Sequence, residues 1–165
     1  MENLLDKNIT AFIGSQKYLC TVTWRNGILI MDEPNSIGGK DLGPDPYSTL
    51  LASLAGCTLS TLKMYIDRKG WQIPEINISL NFTQNNSEEI ETVITREISF
   101  PQQVTEKQQE RLKVIAEKCP VSKILKNKIT INTKISQKIR FVLIKALSLH
   151  ISKLKNNTVM VKVNK

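Results

Sequence analysis

An α+β domain is the fold class this sequence predicts, on three observations. Apolar side chains recur at helical steps of three and four from Tyr47 to Tyr65. Segments on either side of that stretch alternate with a period of two. The strands so marked are grouped apart from two helices instead of interleaving with them, which argues against a doubly wound sheet.

Taken in order, Tyr18–Met31 alternates loosely around Asn26-Gly27, a polar turn between two apolar runs, and reads as a β-hairpin. The stretch DEPNSIGGKDLGPDP from Asp32 is too dense in Gly, Pro, Asp and Asn for a helix or a central strand, and reads as a loop. Tyr47, Leu50, Leu51, Leu54, Cys57, Thr58, Thr61, Leu62 and Tyr65 then line one helical stripe, which stops at Lys69-Gly70. Beyond Pro74, Ile76, Ile78, Leu80 and Phe82 face one way. Ile90, Ile94, Ile98 and Phe100 do the same across a turn at Gln84–Ser87, giving two half-buried antiparallel strands. A second helix opens at Thr105, with Gln108 completing a capping box, and ends against Pro120. Ile129, Ile131, Thr133 and Ile135 alternate with polar residues and predict a last strand. Lys-rich residues 123–128 read as its approach.

A chain of 165 residues is long enough to bury one core. No uninterrupted apolar stretch approaches the ~20 residues of a membrane span. The acidic, polar start MENLLDKNIT does not read as a secretory signal, so a cytoplasmic protein with reduced thiols is expected. The net charge of +8 is unevenly placed. Residues 1–117 hold 11 Lys and Arg against 15 Asp and Glu, whereas residues 118–165 hold 12 basic residues and no acid. The basic end, residues 138–165, places Leu143, Leu147, Ile151 and Leu154 on one helical face. Such a helix packs on its own domain or lies on an anionic lipid surface. Nucleic acid binding calls for aromatics among the basic residues, and this tail has only Phe141.

Two of the three cysteines stand out. Cys57 lies in the middle of the long helix among the small residues Ala52, Ser53, Ala55 and Gly56. A helical glycine costs about 1 kcal/mol relative to alanine, so Gly56 suggests close approach of another backbone or a ligand. Cys119 lies on the apolar stripe of the second helix. Periodicity makes both core-facing, which fits inert buried thiols as well as a reactive pair, and does not bring them together. Cys20, in the hairpin, reads as inert. The carboxylates Asp32, Glu33 and Asp41 in a Gly/Pro-rich loop read as turn formers, not metal ligands.

Several motifs run in order along the chain: Asp32-Glu33-Pro34, the run Gly38-Gly39-Lys40-Asp41-Leu42-Gly43-Pro44-Asp45-Pro46-Tyr47, and Leu50 to Thr58 around Cys57. Leu62 to Trp71, Lys118-Cys119-Pro120-Val121 and Ile129 to Thr133 follow. In this order they resemble the OsmC/Ohr family, the osmotically inducible and organic hydroperoxide resistance proteins, in its OsmC-like branch. The resemblance covers about residues 15–135. It implies an OsmC-like fold, with antiparallel sheets around a long central cysteine-bearing helix, and an intertwined homodimer with its site at the subunit interface. It implies an OsmC-like domain over residues 1–137, with residues 138–165 as a basic extension that has no counterpart.

The activity implied is that of a thiol-dependent peroxidase. Cys57 matches the peroxidatic cysteine and Cys119 the resolving one. The thiolate takes oxygen from a hydroperoxide, the sulfenic acid condenses with the second thiol, and an external dithiol of the dihydrolipoamide type restores both. No metal or organic cofactor is expected. In the family an early arginine contacts the thiolate and is held by a glutamate near the start of the cysteine helix. Arg25, the only arginine before Cys57, is the candidate, but Ser48 stands where that glutamate is usual. Ser122 likewise stands where a histidine is frequent. The competing expectation is a catalytically decayed OsmC-like scaffold that binds a small molecule or serves as a stress protein.

Overall fold

The computed structural model describes residues 3–85 and 91–137. Three strands open the fold: β1 (Thr10–Ile13), β2 (Cys20–Trp24) and β3 (Gly27–Met31). They form one antiparallel sheet in sequential order, with Arg25-Asn26 as the turn of the predicted hairpin. Its first strand was not predicted, because four residues, TAFI, give too little alternation to read. Phe12, Thr21 and Ile30 are in register across the three strands, as are Thr10, Thr23 and Ile28. Phe12, Ile28 and Ile30 on that face are exposed in the single chain.

The loop that follows is organised by Asp32. Its carboxylate is buried and accepts from the backbone N–H of Glu33, Lys40 and Leu42 at 2.9, 3.0 and 3.4 Å. Burial alone would raise its pKa, but these amides hold it below the ordinary carboxylate value. A carboxylate depressed in this way stabilises the fold above its unfolded pKa, and the gain is lost as pH falls through the folded value. Asp32→Asn is therefore expected to melt several degrees below the parent protein at pH ~7, with the gap closing below pH ~4. Thermal melts across that range would refute the assignment if the gap stayed constant.

The predicted long helix is α1 (Pro46–Lys69). Asp45 caps it, accepting from the N–H of Tyr47 and Ser48, and Pro46 supplies the first turn, where no donor is needed. Gly70, in the left-handed conformation, ends it. Among the described residues α1 alone is long and apolar enough to cross a membrane, but its stripe of Leu54, Thr58, Leu62 and Ile66 is buried inside the domain. Strands β4 (Asn77–Gln84) and β5 (Thr92–Ser99) form a second antiparallel sheet, Ile78 opposite Ile98 and Phe82 opposite Ile94. Helix α2 (Glu106–Ala116) starts with the expected Thr105/Gln108 capping box. Leu62 and Ile66 of α1 pack with Leu112, Ile115 and Ala116 of α2 and with Ile73 and Val104, and Ile98 and Phe100 close the cluster. The result is the α+β class with two small antiparallel sheets and a long helix.

Two expectations are corrected. Residues approaching the predicted last strand form a short helix, α3 (Pro120–Lys126), because Pro120 breaks α2 yet suits the first turn of a new helix. Residues 128–137 are not in a strand. Ile129, Ile131 and Ile135 are exposed, and alternation without a hydrogen-bonded neighbour does not make a strand. Residues from Thr130 belong to a unit separate from the core, of which 130–137 are described. The basic helix read over residues 138–165 lies outside the described residues.

Candidate active site

Helix α1 places Cys57 one position from the buried Thr58, so its side chain is half-buried. Cys119 is wholly buried. It sits at the junction where α2 ends and α3 begins, with its N–H on Ala116 O (3.2 Å) and its carbonyl accepting from Lys123 (3.0 Å). Packing of α2 and α3 on α1 brings the two free thiols, 62 positions apart, near enough for each to act on the other's acidity.

Their acidities are driven apart. Burial raises the Cys57 pKa, and the neighbouring Cys119 sulfur raises it further, outweighing the Val121 amide and the Thr61 hydroxyl. Burial also works to raise that of Cys119. There it is overcome by donors that favour the thiolate: the Ser122 amide, the Cys57 thiol, the Thr58 hydroxyl and the Val121 amide. The net shift for Cys119 is downward. The more accessible sulfur is thus the less acidic one.

A cation other than the expected Arg25 lies beside the site. Arg96 of β5 donates from Nη1 to Thr58 Oγ1 at 3.0 Å and to Ala116 O at 3.5 Å, and from Nη2 to Glu117 Oε1 at 2.8 Å. Glu117 also pairs with Lys126, and the two cations hold its carboxyl below the usual value. The sequence did contain a signal for Arg96. Ile94, Arg96 and Ile98 are the half-buried positions of this strand, so an arginine replaces an apolar residue on the inward face.

Arg25 is exposed in the β2–β3 turn. Ser48 is engaged in the cap of α1, its Oγ donating to Asp45 Oδ2 at 2.5 Å. The close approach expected at Gly56 is absent within this chain: a Cβ there would meet nothing within 4 Å among the described residues. Cys20 begins β2, in register with Ile13 and Met31. The loop carboxylate Asp32 is occupied by backbone amides, as a turn former would be.

A long cysteine-bearing helix accompanied by two small antiparallel sheets, with a second thiol delivered by the following helices, defines an α+β dithiol protein. The family model for OsmC-like protein matches residues 38–134. The chain belongs to the OsmC-like family. Among solved structures it is similar to the organic hydroperoxide resistance protein OsmC of Legionella pneumophila, with TM-score 0.58 and 16% identity over 76% of this chain and 92% of that one. It is similar to the organic hydroperoxide resistance protein OhrB of Bacillus subtilis, with TM-score 0.56 and 21% identity over 75% and 93%. An OsmC-like protein of Mycoplasma pneumoniae gives TM-score 0.56 and 21% identity over 73% and 89%. At these identities the likeness is one of fold. A comparison with curated protein sequences returns no match.

Proposed function

We propose that this protein is a thiol-dependent hydroperoxide reductase. The observation that carries the reading is the meeting of a half-exposed Cys57 with a buried Cys119 as free thiols. Cys57 attacks the O–O bond, releasing an alcohol and becoming a sulfenic acid. Cys119 then displaces the hydroxyl as water, and a Cys57–Cys119 disulfide forms. A dithiol of the dihydrolipoamide type reduces that disulfide in the cytoplasm. The names borne by the Legionella and Bacillus relatives agree with such a peroxide-related role.

Two copies make the working unit in this reading. The exposed Phe12, Ile28 and Ile30 on one face of the first sheet offer an apolar surface to a second copy. Arg25, at the exposed tip of that sheet, is then available to act on a thiolate across the interface. One equivalent of an organic hydroperoxide, without reductant, is expected to give a rapid Cys57–Cys119 disulfide by intact and peptide mass spectrometry. Cys20 should remain untouched. Two slow, unlinked oxidations would refute the reductase and favour a binding scaffold. That second reading draws on the raised Cys57 pKa and on a cleft of about 680 Å³ bordered by Arg96, Ile98, Phe100 and Val104.

A further inference from the structure

A second cleft, of about 740 Å³, opens between the end of α1 and the start of α2. Tyr65 and Lys69, on its border, lie roughly two and three turns along α1 from Cys57, so the cleft is separate from the dithiol site. Its wall is aromatic: Tyr65 and Trp71 meet edge to face, with ring centroids 5.7 Å apart. Its rim is basic. Lys69, Lys107 and Arg111 border it, against the single carboxylate of Glu110. None of the three cations is paired with a carboxylate among the described residues, where the ion pairs are Lys63–Asp67, Arg96–Glu117 and Lys126–Glu117. Cations gathered without partners repel one another and draw an anion from solution.

Arg111 is the cation held in a fixed orientation. Its Nε donates to Tyr65 Oη at 2.9 Å, and its Cζ lies 5.4 Å from the centre of the Tyr65 ring. Lys69 Nζ stands 5.9 Å from the same centre. A guanidinium carries its N–H donors in one plane. Nε is engaged by the tyrosine, whereas neither Nη1 nor Nη2 meets an acceptor among the described residues. Those two outer nitrogens form the fork that grips both oxygens of a carboxylate, or two of a phosphate. A side chain already held by a neighbour loses less freedom on binding than a free one. The fork calls for an oxyanion, and the aromatic wall beside it calls for a flat apolar ring.

We propose that this cleft binds a small aromatic anion, with its ring against Trp71 and its carboxylate or phosphate in the fork of Arg111. Lys69 and Lys107 add charge at the rim. The lysines alone would take any anion, and the rings alone any apolar molecule. Arg111, bonded to Tyr65, makes the two demands meet in one ligand. Residues 138–165, basic and without an acid, carry the wrong sign to fill the cleft. The proposal does not depend on the reductase reading.

The test is titration of the full chain with naphthoate and with naphthyl phosphate, followed by the indole N–H NMR signals of Trp24 and Trp71. Trp24→Phe assigns the two signals. Either probe, or both, should move the Trp71 signal to saturation while the Trp24 signal stays in place. The tighter of the two then tells a carboxylate ligand from a phosphate one. Naphthylmethanol has the ring without the charge, and inorganic phosphate the charge without the ring. Each should bind about tenfold or more weakly. Arg111→Lys keeps the charge and loses the fork, and should also weaken binding about tenfold. Lys107→Gln, on the exposed surface of α2, should weaken it about threefold. A Trp71 signal that stays still or never saturates would overturn the proposal. So would naphthylmethanol binding as tightly as the anions, or parental affinity in Arg111→Lys. If Arg111→Lys does not fold, the charged and uncharged probes on the parent protein decide alone. No peroxide enters the assay, so failure of the reductase reading leaves its result untouched.

Discussion

Cys57→Ser is expected to abolish hydroperoxide consumption, a loss on the order of 10³-fold or more, since a nucleophile cannot be spared. A serine hydroxyl stays protonated at neutral pH and has no sulfenic acid to form. The half-exposed position of Cys57 also matters, because the other sulfur of the pair has no exposed surface from which to meet a peroxide. Cys119→Ser should behave differently. It should consume at most one equivalent per chain, form no intramolecular disulfide and turn over poorly with dihydrolipoamide as reductant. Cys20→Ser, altered at the start of the central strand of the first sheet, should match the parent protein. The assay is peroxide consumption over many turnovers, paired with intact mass after one equivalent. Parental turnover in either the Cys57 or the Cys119 variant would end the assignment.

Much of the scaffold was legible in the sequence, because its elements follow from local rules. The α1 stripe, the Thr105/Gln108 capping box and the alternation of β4 and β5 need only neighbours a few residues away. What depends on distant partners was not legible. Cys57 and Cys119 each announce a core-facing position, but only the packing of α2 and α3 on α1 brings them together. Their acidities depend on donors from two segments far apart in sequence, α1 and the start of α3, so no spacing encodes them. Arg96 lies between these cases: its inward place on β5 follows from the alternation, its partner Thr58 does not. Residues 129–135 show the converse error. Their alternation predicts a strand, and the described chain supplies none there, because a ladder requires a neighbour that periodicity cannot provide.

Alanine at two glycines should have opposite effects, and the pair tests both the loop and the outer face of α1. A Cβ on Gly39 would lie 1.7 Å from the carbonyl oxygen of Glu33, a backbone atom that cannot rotate away. Gly39 is buried where the loop folds onto itself, its N–H on Pro34 O at 3.2 Å and the Asp41 N–H on Glu33 O at 3.2 Å. Gly39→Ala must open that loop and strip Asp32 of its amides, which places it at the upper end of overpacking, about 3 kcal/mol. The melting temperature should fall by roughly 10 °C. Gly56→Ala meets empty space among the described residues and gains the helix propensity of alanine, about 1 kcal/mol. Its melting temperature should rise by a few degrees if that face of α1 is open to solvent. A Gly39→Ala melt within a degree of the parent would overturn the loop geometry. If Gly56→Ala lowers the melting temperature and dissociates an oligomer seen by sedimentation of the parent, the small-residue face around Cys57 is where a second copy packs. The approach that Gly56 suggests would then come from outside this chain, beside the sulfur that meets the peroxide.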